Sequence, residues 1–212
     1  MNKLRLLLFL LLTITLDLYA LSFGTGISYY EEELSNNKLS IETSINGEDY
    51  DILAQFNSPF FDIKSSYYLK VFQFTGHYRN FKDLFNQFDL VLLASYSQNK
   101  DFFTFNIKAG LQFSLLSINE VPKKLFNILP SYNVTLGFNW NPISINLFLA
   151  TNSDFWYFGQ AQGLIIGENL KIQLTDYLDV KLISQLKFSD FLTENIFTCA
   201  YQYGLLMTWR YK

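Results

Sequence analysis

FTCAYQYGLLMTWRY, running from Phe197 to Tyr211, alternates with the period of a β-strand. Phe197, Cys199, Tyr201, Tyr203, Leu205, Met207, Trp209 and Tyr211 place an apolar or aromatic side chain at every second position. Thr198, Gln202, Gly204, Thr208 and Arg210 stand between them. Because successive side chains of a strand point to opposite faces, this segment has one oily and one wet face. A sheet that touches lipid on one side and water on the other needs that pattern.

The same alternation recurs upstream. From Phe103 to Leu115 the odd positions Phe103, Phe105, Ile107, Ala109, Leu111 and Phe113 oppose Thr104, Asn106, Lys108, Gly110, Gln112 and Ser114. Tyr132, Val134, Leu136, Phe138 and Trp140 oppose Asn133, Thr135, Gly137 and Asn139, and an Asn141-Pro142 turn leads into Ile143, Ile145, Leu147 and Leu149. Further strands are expected over Leu21–Tyr30, Lys38–Ile45, Tyr50–Phe56, Tyr67–Tyr78, Phe88–Ser97, Phe155–Ile166, Leu170–Thr175 and Leu178–Phe188, with Asn46-Gly47 as a hairpin signal. The total is about twelve, an even number as a closed barrel requires; ten or eight follow if short segments fail.

Two features of spacing favour a membrane barrel over a soluble sandwich. Tyr132 and Trp140, like Tyr203 and Tyr211, lie on one face of a strand at a separation of roughly 20 Å along the barrel axis, for ~3.3 Å per residue and a ~40° tilt. Tyr132, Trp140 and Tyr203 are therefore candidates for the aromatic girdles that edge a ~25 Å apolar band. The oily faces also exceed the ~5 to 6 residues usual for a soluble strand.

Composition agrees. Aromatic residues make up 18% of the 212, yet mean hydropathy is only +0.10, so apolar and polar residues are finely mixed. A net charge of −3 without a basic run argues against a nucleic-acid partner. Lys3 and Arg5, the apolar run Leu6–Ile14 and Leu18-Tyr19-Ala20 give residues 1–20 the form of a cleaved signal peptide, followed by a barrel over 21–212. A retained N-terminal anchor is the alternative, although the run falls short of the ~20 residues a spanning helix needs. A lone cysteine, Cys199, and a lone histidine, His77, cannot form an intramolecular disulfide or structural zinc site, and no cofactor is expected.

One segment fits poorly. Counted back from a periplasmic C-terminus, Ser117 to Pro130 falls where short turns are expected. It reads as a loop, with a short amphipathic helix at the barrel mouth or a plug, built on Glu120, Lys123, Lys124, Leu125, Phe126, Ile128 and Leu129, as the alternative.

The terminal strand resembles the assembly signal of bacterial outer-membrane β-barrel proteins at Gln202, Gly204, Met207 and Trp209, with Tyr211 in phase as the terminal aromatic. That resemblance implies outer-membrane lipid and the barrel-assembly machinery as partners. The abundance of Phe, Asn, Leu, Ile and Lys also resembles small outer-membrane proteins of spirochaetes. Outer-membrane lipid hydrolases resemble one another in placing a serine two positions after an active histidine. Here Tyr78 and Arg79 follow His77, leaving Ser95 or Ser97 on a neighbouring strand as the remaining nucleophiles, and no enzyme is expected.

The polar phases put Lys108, Lys171, Lys181, Lys187 and Arg210 on the expected lumen side against Asp179. A cationic lining favours small anionic solutes if the lumen is open. The expectation is an all-β antiparallel transmembrane barrel of 8–12 strands in the outer membrane, serving as a narrow porin-like channel. The alternative is a filled, structural or adhesin-like barrel contacting surface ligands. The acidic groups Glu31–Glu33 and Glu48, Asp49, Asp51 read as solvated loop acids, with calcium binding as the sharper alternative.

Overall fold

A computed structural model describes residues 22–32, 39–57, 60–81, 85–119, 124–152, 163–189 and 197–210. The signal-peptide region and Tyr211 lie outside them. The chain forms twelve strands: β1 (Ser22–Glu32), β2 (Leu39–Asn46), β3 (Tyr50–Asn57), β4 (Phe60–Leu69), β5 (Phe72–Phe81) and β6 (Phe85–Lys100) make one half. The other half is β7 (Phe103–Ile118), β8 (Leu125–Trp140), β9 (Ile143–Asn152), β10 (Gly163–Thr175), β11 (Leu178–Ser189) and β12 (Phe197–Arg210). Each strand pairs antiparallel with its neighbours in sequence, and β1 pairs with β12 from Ser22↔Arg210 to Glu32↔Ala200, closing the barrel. Closure satisfies every strand edge, the condition for placing backbone amides in hydrocarbon.

Burial is inverted relative to a soluble protein. Among the described residues, four buried side chains are apolar and fifteen are polar or charged, while Phe23, Ile27, Phe74, Leu90, Leu111, Leu147, Leu182 and Leu205 stand exposed on the outer face. Such a surface is stable only against an apolar medium, because each exposed large aliphatic left in water forgoes roughly 1.5–3 kcal/mol. With ~4.8 Å between strands and a ~40° tilt, twelve strands close at a backbone radius of about 12 Å.

The strand number agrees with the sequence reading through two compensating errors. Tyr67–Tyr78, expected as one strand, is the end of β4 and the start of β5, joined by Lys70 and Val71. Lys70 takes a left-handed φ of 54°, and Asp101 does the same at 49° in the β6–β7 turn. Turns made without glycine leave no punctuation in the sequence. Conversely, Leu170–Thr175 belongs to a single strand that begins at Gly163; most of the expected Phe155–Ile166 strand lies outside the described residues.

The Ser117–Pro130 segment is also corrected. β7 runs to Ile118 and β8 starts at Leu125, so only residues 119–124 connect them. Leu125, Phe126, Ile128 and Leu129 are strand residues, neither loop nor helix, and Phe126 and Ile128 stand exposed on the outer face. Ile118 and Leu125, the strand ends joined by residues 119–124, lie at the barrel end opposite Ser22 and Arg210. The other end carries the short turns at 70–71, 101–102, 141–142 and 176–177.

Gly26 and Gly110 mark two corners of the wall. A Cβ built on Gly26 would lie 2.2 Å from the Leu205 carbonyl oxygen, and one on Gly110 would lie 1.9 Å from that of Leu92. At each corner a neighbouring strand therefore folds over the inner face, which a side chain would prevent. β1 and β7 are half a circumference apart, so the bends face each other across the barrel. Side chains meet across both: Gln202 of β12 donates to Glu42 Oε1 of β2 at 3.2 Å, and Lys108 of β7 donates to Gln73 Oε1 of β5 at 2.7 Å.

Glu168 places a charge on the oily face. Glu168 pairs with Leu147 and Ser184, in phase with exposed Ile166, and is itself exposed. Removing a carboxylate from a lipid-facing site is favourable. Glu168→Leu is expected to stabilise the barrel by about 1 kcal/mol, read as a higher urea midpoint for folding into phospholipid vesicles.

Candidate functional site: the lumen

Antiparallel partners share a face, so register fixes which side chains enter the barrel. The row Leu53↔Lys64↔His77↔Asp89↔Ser114 crosses β3 to β7 on the inside. These inner faces enclose a cavity of about 900 Å³.

Lys108, Lys181 and Lys187 border this cavity. Lys171 shares their face as the register partner of Lys181, and its Nζ lies 3.0 Å from Asp179 Oδ2. Arg210, from β12, places Nε 3.0 Å from the same carboxylate oxygen and Nη2 against Oδ1. Asp179 is thus a buried anchor for two cations near the short-turn end. Lys108 also lies over the Tyr68 ring, 5.2 Å from its centroid.

Lumen charges in the N-terminal half escaped the sequence reading. Glu42, Asp51, Asp62 and Asp89 line the cavity, as do Lys64 and Arg79. The signal was available in the phase Asp62, Lys64, Ser66, Tyr68 against Phe61, Ile63, Ser65, Tyr67. Merging β4 and β5 into one strand hid it.

His77 belongs to this network and not to a nucleophilic pair. Its Nε2 lies 2.7 Å from Asp62 Oδ1 and its Nδ1 3.7 Å from Asp89 Oδ2. Arg79 Nη2 reaches Asp62 Oδ2 at 3.2 Å. Gln87 Nε2 donates to both oxygens of Asp89 at 3.0 and 2.9 Å, and the Ser114 hydroxyl donates to Oδ1. Ser95 donates instead to the Val71 carbonyl at 3.0 Å, and Ser97 accepts from Asn106. Neither candidate serine meets the imidazole. The acidic cluster also separates: Asp51 enters the lumen, accepting from the Tyr68 hydroxyl at 2.6 Å, whereas Glu48 and Asp49 stay exposed in a turn.

On the terminal strand, Gln202 points inward and accepts from Gln185 at 2.5 Å, and Gly204 pairs with Ile183. Met207 and Trp209 occupy the outer phase, with Trp209 exposed. Cys199 falls at a β-bulge between Thr198 and Ala200. The expected girdle is partly redrawn. Trp140 lies on the short-turn rim, stacked with Phe102 at 5.9 Å and Phe138 at 5.7 Å between centroids, and Tyr203 is exposed on the outer face. Tyr132, however, is a half-buried mid-strand residue of the outer phase, because β8 continues to Leu125 beyond it.

Not all of the interior is open. Phe85 and Leu116 pack with Ile118 and Leu125 into a buried apolar cluster on the inner wall of β6–β8.

No protein-family model matches the sequence, and no curated protein matches it. Solved structures do. The NanC porin superimposes with a TM-score of 0.55 at 9% identity, over 89% of this chain and 98% of that one. Omp33 of Acinetobacter baumannii gives a TM-score of 0.44 at 9% identity, over 91% and 98% of the two chains. At such low identity the likeness to the NanC porin concerns the fold: this chain is a twelve-stranded antiparallel barrel resembling those of bacterial outer membranes.

Proposed function

We propose that the chain is an outer-membrane channel with a narrow lumen that favours small anions. The observation that carries this reading is the cavity of about 900 Å³ lined mostly by polar and charged side chains. A barrel serving only as scaffold would fill that space with packed side chains. The charge balance supports anions: Lys64, Arg79, Lys108, Lys171, Lys181, Lys187 and Arg210 face Glu42, Asp51, Asp62, Asp89 and Asp179. The excess is modest, and all five acids are tied to specific partners: Glu42 to Gln202, Asp51 to Tyr68, Asp62 to His77 and Arg79, Asp89 to Gln87, and Asp179 to Lys171 and Arg210. His77 keeps the carboxylate partners described above, a structural role that supports reading the chain as a non-enzyme. The similarity of fold to the NanC porin is consistent with a pore.

In this reading the barrel-assembly machinery takes up β12 and closes it on β1. The end carrying the termini and short turns faces the periplasm.

Bilayer recording across a KCl gradient tests the proposal. Discrete conductance steps with chloride more permeant than potassium are expected, and reversing Lys108 and Lys181 together to glutamate is expected to bring the permeability ratio below one. Absence of conductance from correctly folded barrel would overturn it. The buried Phe85–Leu116 cluster favours a second reading, a filled structural barrel, which predicts that silence.

A further inference from the structure

We infer that the inner wall formed by β9, β10 and β11 carries a binding site for aromatic carboxylates. This inference rests on the lumen being open to solutes. Barrel interiors that only conduct water and ions are polar, yet Phe148, Ile165 and Ile183 point inward here and border the cavity. They differ from Phe85 and Leu116, which are 6% and 0% exposed within their cluster. Phe148, Ile165 and Ile183 are only half-buried. Half-buried apolar side chains that face an aqueous cavity offer a surface to an apolar ligand.

Gly167 shapes that surface. A Cβ at this position would lie 2.4 Å from Phe148 Cζ, so the ring lies against the wall over a residue without a side chain. The register sets Phe148 opposite Gly167 and Gly167 opposite Gln185. Ile183 is two positions further along the same face of β11, giving an apolar floor bounded by amides.

A cation stands beside the floor. Lys181 follows Ile183 on the inner face of β11, about 7 Å away along the strand. Its register partner Lys171 is held by Asp179 at 3.0 Å, whereas Lys181 has no ion-pair partner among the described residues. Glu42 and Asp51 act on it electrostatically at longer range, and each carboxylate accepts a hydrogen bond elsewhere, from Gln202 and Tyr68. A flat apolar surface with an adjacent unpaired ammonium matches a ligand with an aromatic ring and one carboxylate. Covering one face of a phenyl ring removes about 60 Å² of apolar surface from water, which corresponds to roughly tenfold in affinity over a ligand without the ring.

The test uses benzoate, acetate and benzamide on refolded full-length barrel. Benzoate is expected to block chloride current about tenfold more tightly than acetate. Phe148→Ala should erase that difference, while Lys181→Gln should weaken benzoate block and leave benzamide unaffected. Equal block by benzoate and acetate in a conducting barrel overturns the site and leaves the channel reading intact. Without chloride conductance, the channel reading fails by itself, and equilibrium dialysis of labelled benzoate against the detergent-folded barrel then decides the site. Uptake lost in Phe148→Leu supports the site, and no uptake overturns it; heat-modifiable migration on gels checks that each variant has folded.

Discussion

Gly110→Ala is expected to destabilise the barrel by at least about 3 kcal/mol, while Gly76→Ala changes it by less than about 0.5 kcal/mol. Both glycines sit inside strands, so intrinsic strand preference alone predicts similar, slightly favourable effects. Their surroundings differ. At Gly110 an added methyl would lie 1.9 Å from the Leu92 carbonyl oxygen and 2.9 Å from its carbon, with the Leu93 Cα at 3.0 Å. These obstacles are backbone and cannot rotate away, so β6 and β7 would have to separate and the corner would open. Nothing lies within 4 Å of a Cβ at Gly76, which occupies the outer phase opposite Leu90. Urea titration of vesicle-folded protein, followed by tryptophan fluorescence, gives the two midpoints. Equal effects at the two sites would show that the corner tolerates a side chain and that the bend has another cause.

The second large effect is expected at Asp89. Asp89→Leu removes the acceptor for Gln87 and Ser114, which are 1% and 0% exposed, and deprives His77 of a nearby carboxylate. Leaving several buried donors unmatched costs about 3–5 kcal/mol. Asp89→Asn should cost far less, about 1 kcal/mol, for a specific reason. Gln87 Oε1 is buried without a hydrogen-bond partner, and an asparagine amide at this position can donate to it while its oxygen still accepts from Ser114. The order Leu far above Asn, measured on the same urea titration, is the diagnostic result. Comparable losses for both would mean that the negative charge itself holds the network together. The network spans β4 to β7 around the inner wall, so this substitution also tests whether polar pairing inside the barrel contributes to its closure.

The strongest alternations were legible because lipid imposes them. Where one face must be apolar along a whole strand, as in Phe103–Phe113 or Tyr201–Trp209, sequence period and strand phase are the same information. Lys108, Lys171, Lys181 and Arg210 could therefore be assigned to the inside from sequence. Their phases did not depend on knowing which strands were neighbours.

What failed depended on turns and on distant partners. The Lys70-Val71 turn carries no glycine, proline or asparagine, so β4 and β5 merged and the charges of Asp62 and Lys64 went unseen. Placing 119–124 at the end opposite the termini needed the correct strand ends, since the side on which a segment emerges depends on which strands flank it.

By itself the sequence determined an alternating β-sheet with one apolar face and most of its charges on the other, because period-two hydrophobicity is a local property that the medium enforces residue by residue. Only the tertiary structure decided that there are twelve strands in this particular division, that Gly26 and Gly110 turn the wall, and that His77 lies between two carboxylates. It also decided that Phe148 lies over Gly167 beside a polar lumen. These follow from strand register and barrel closure, which bring together residues that no local pattern relates.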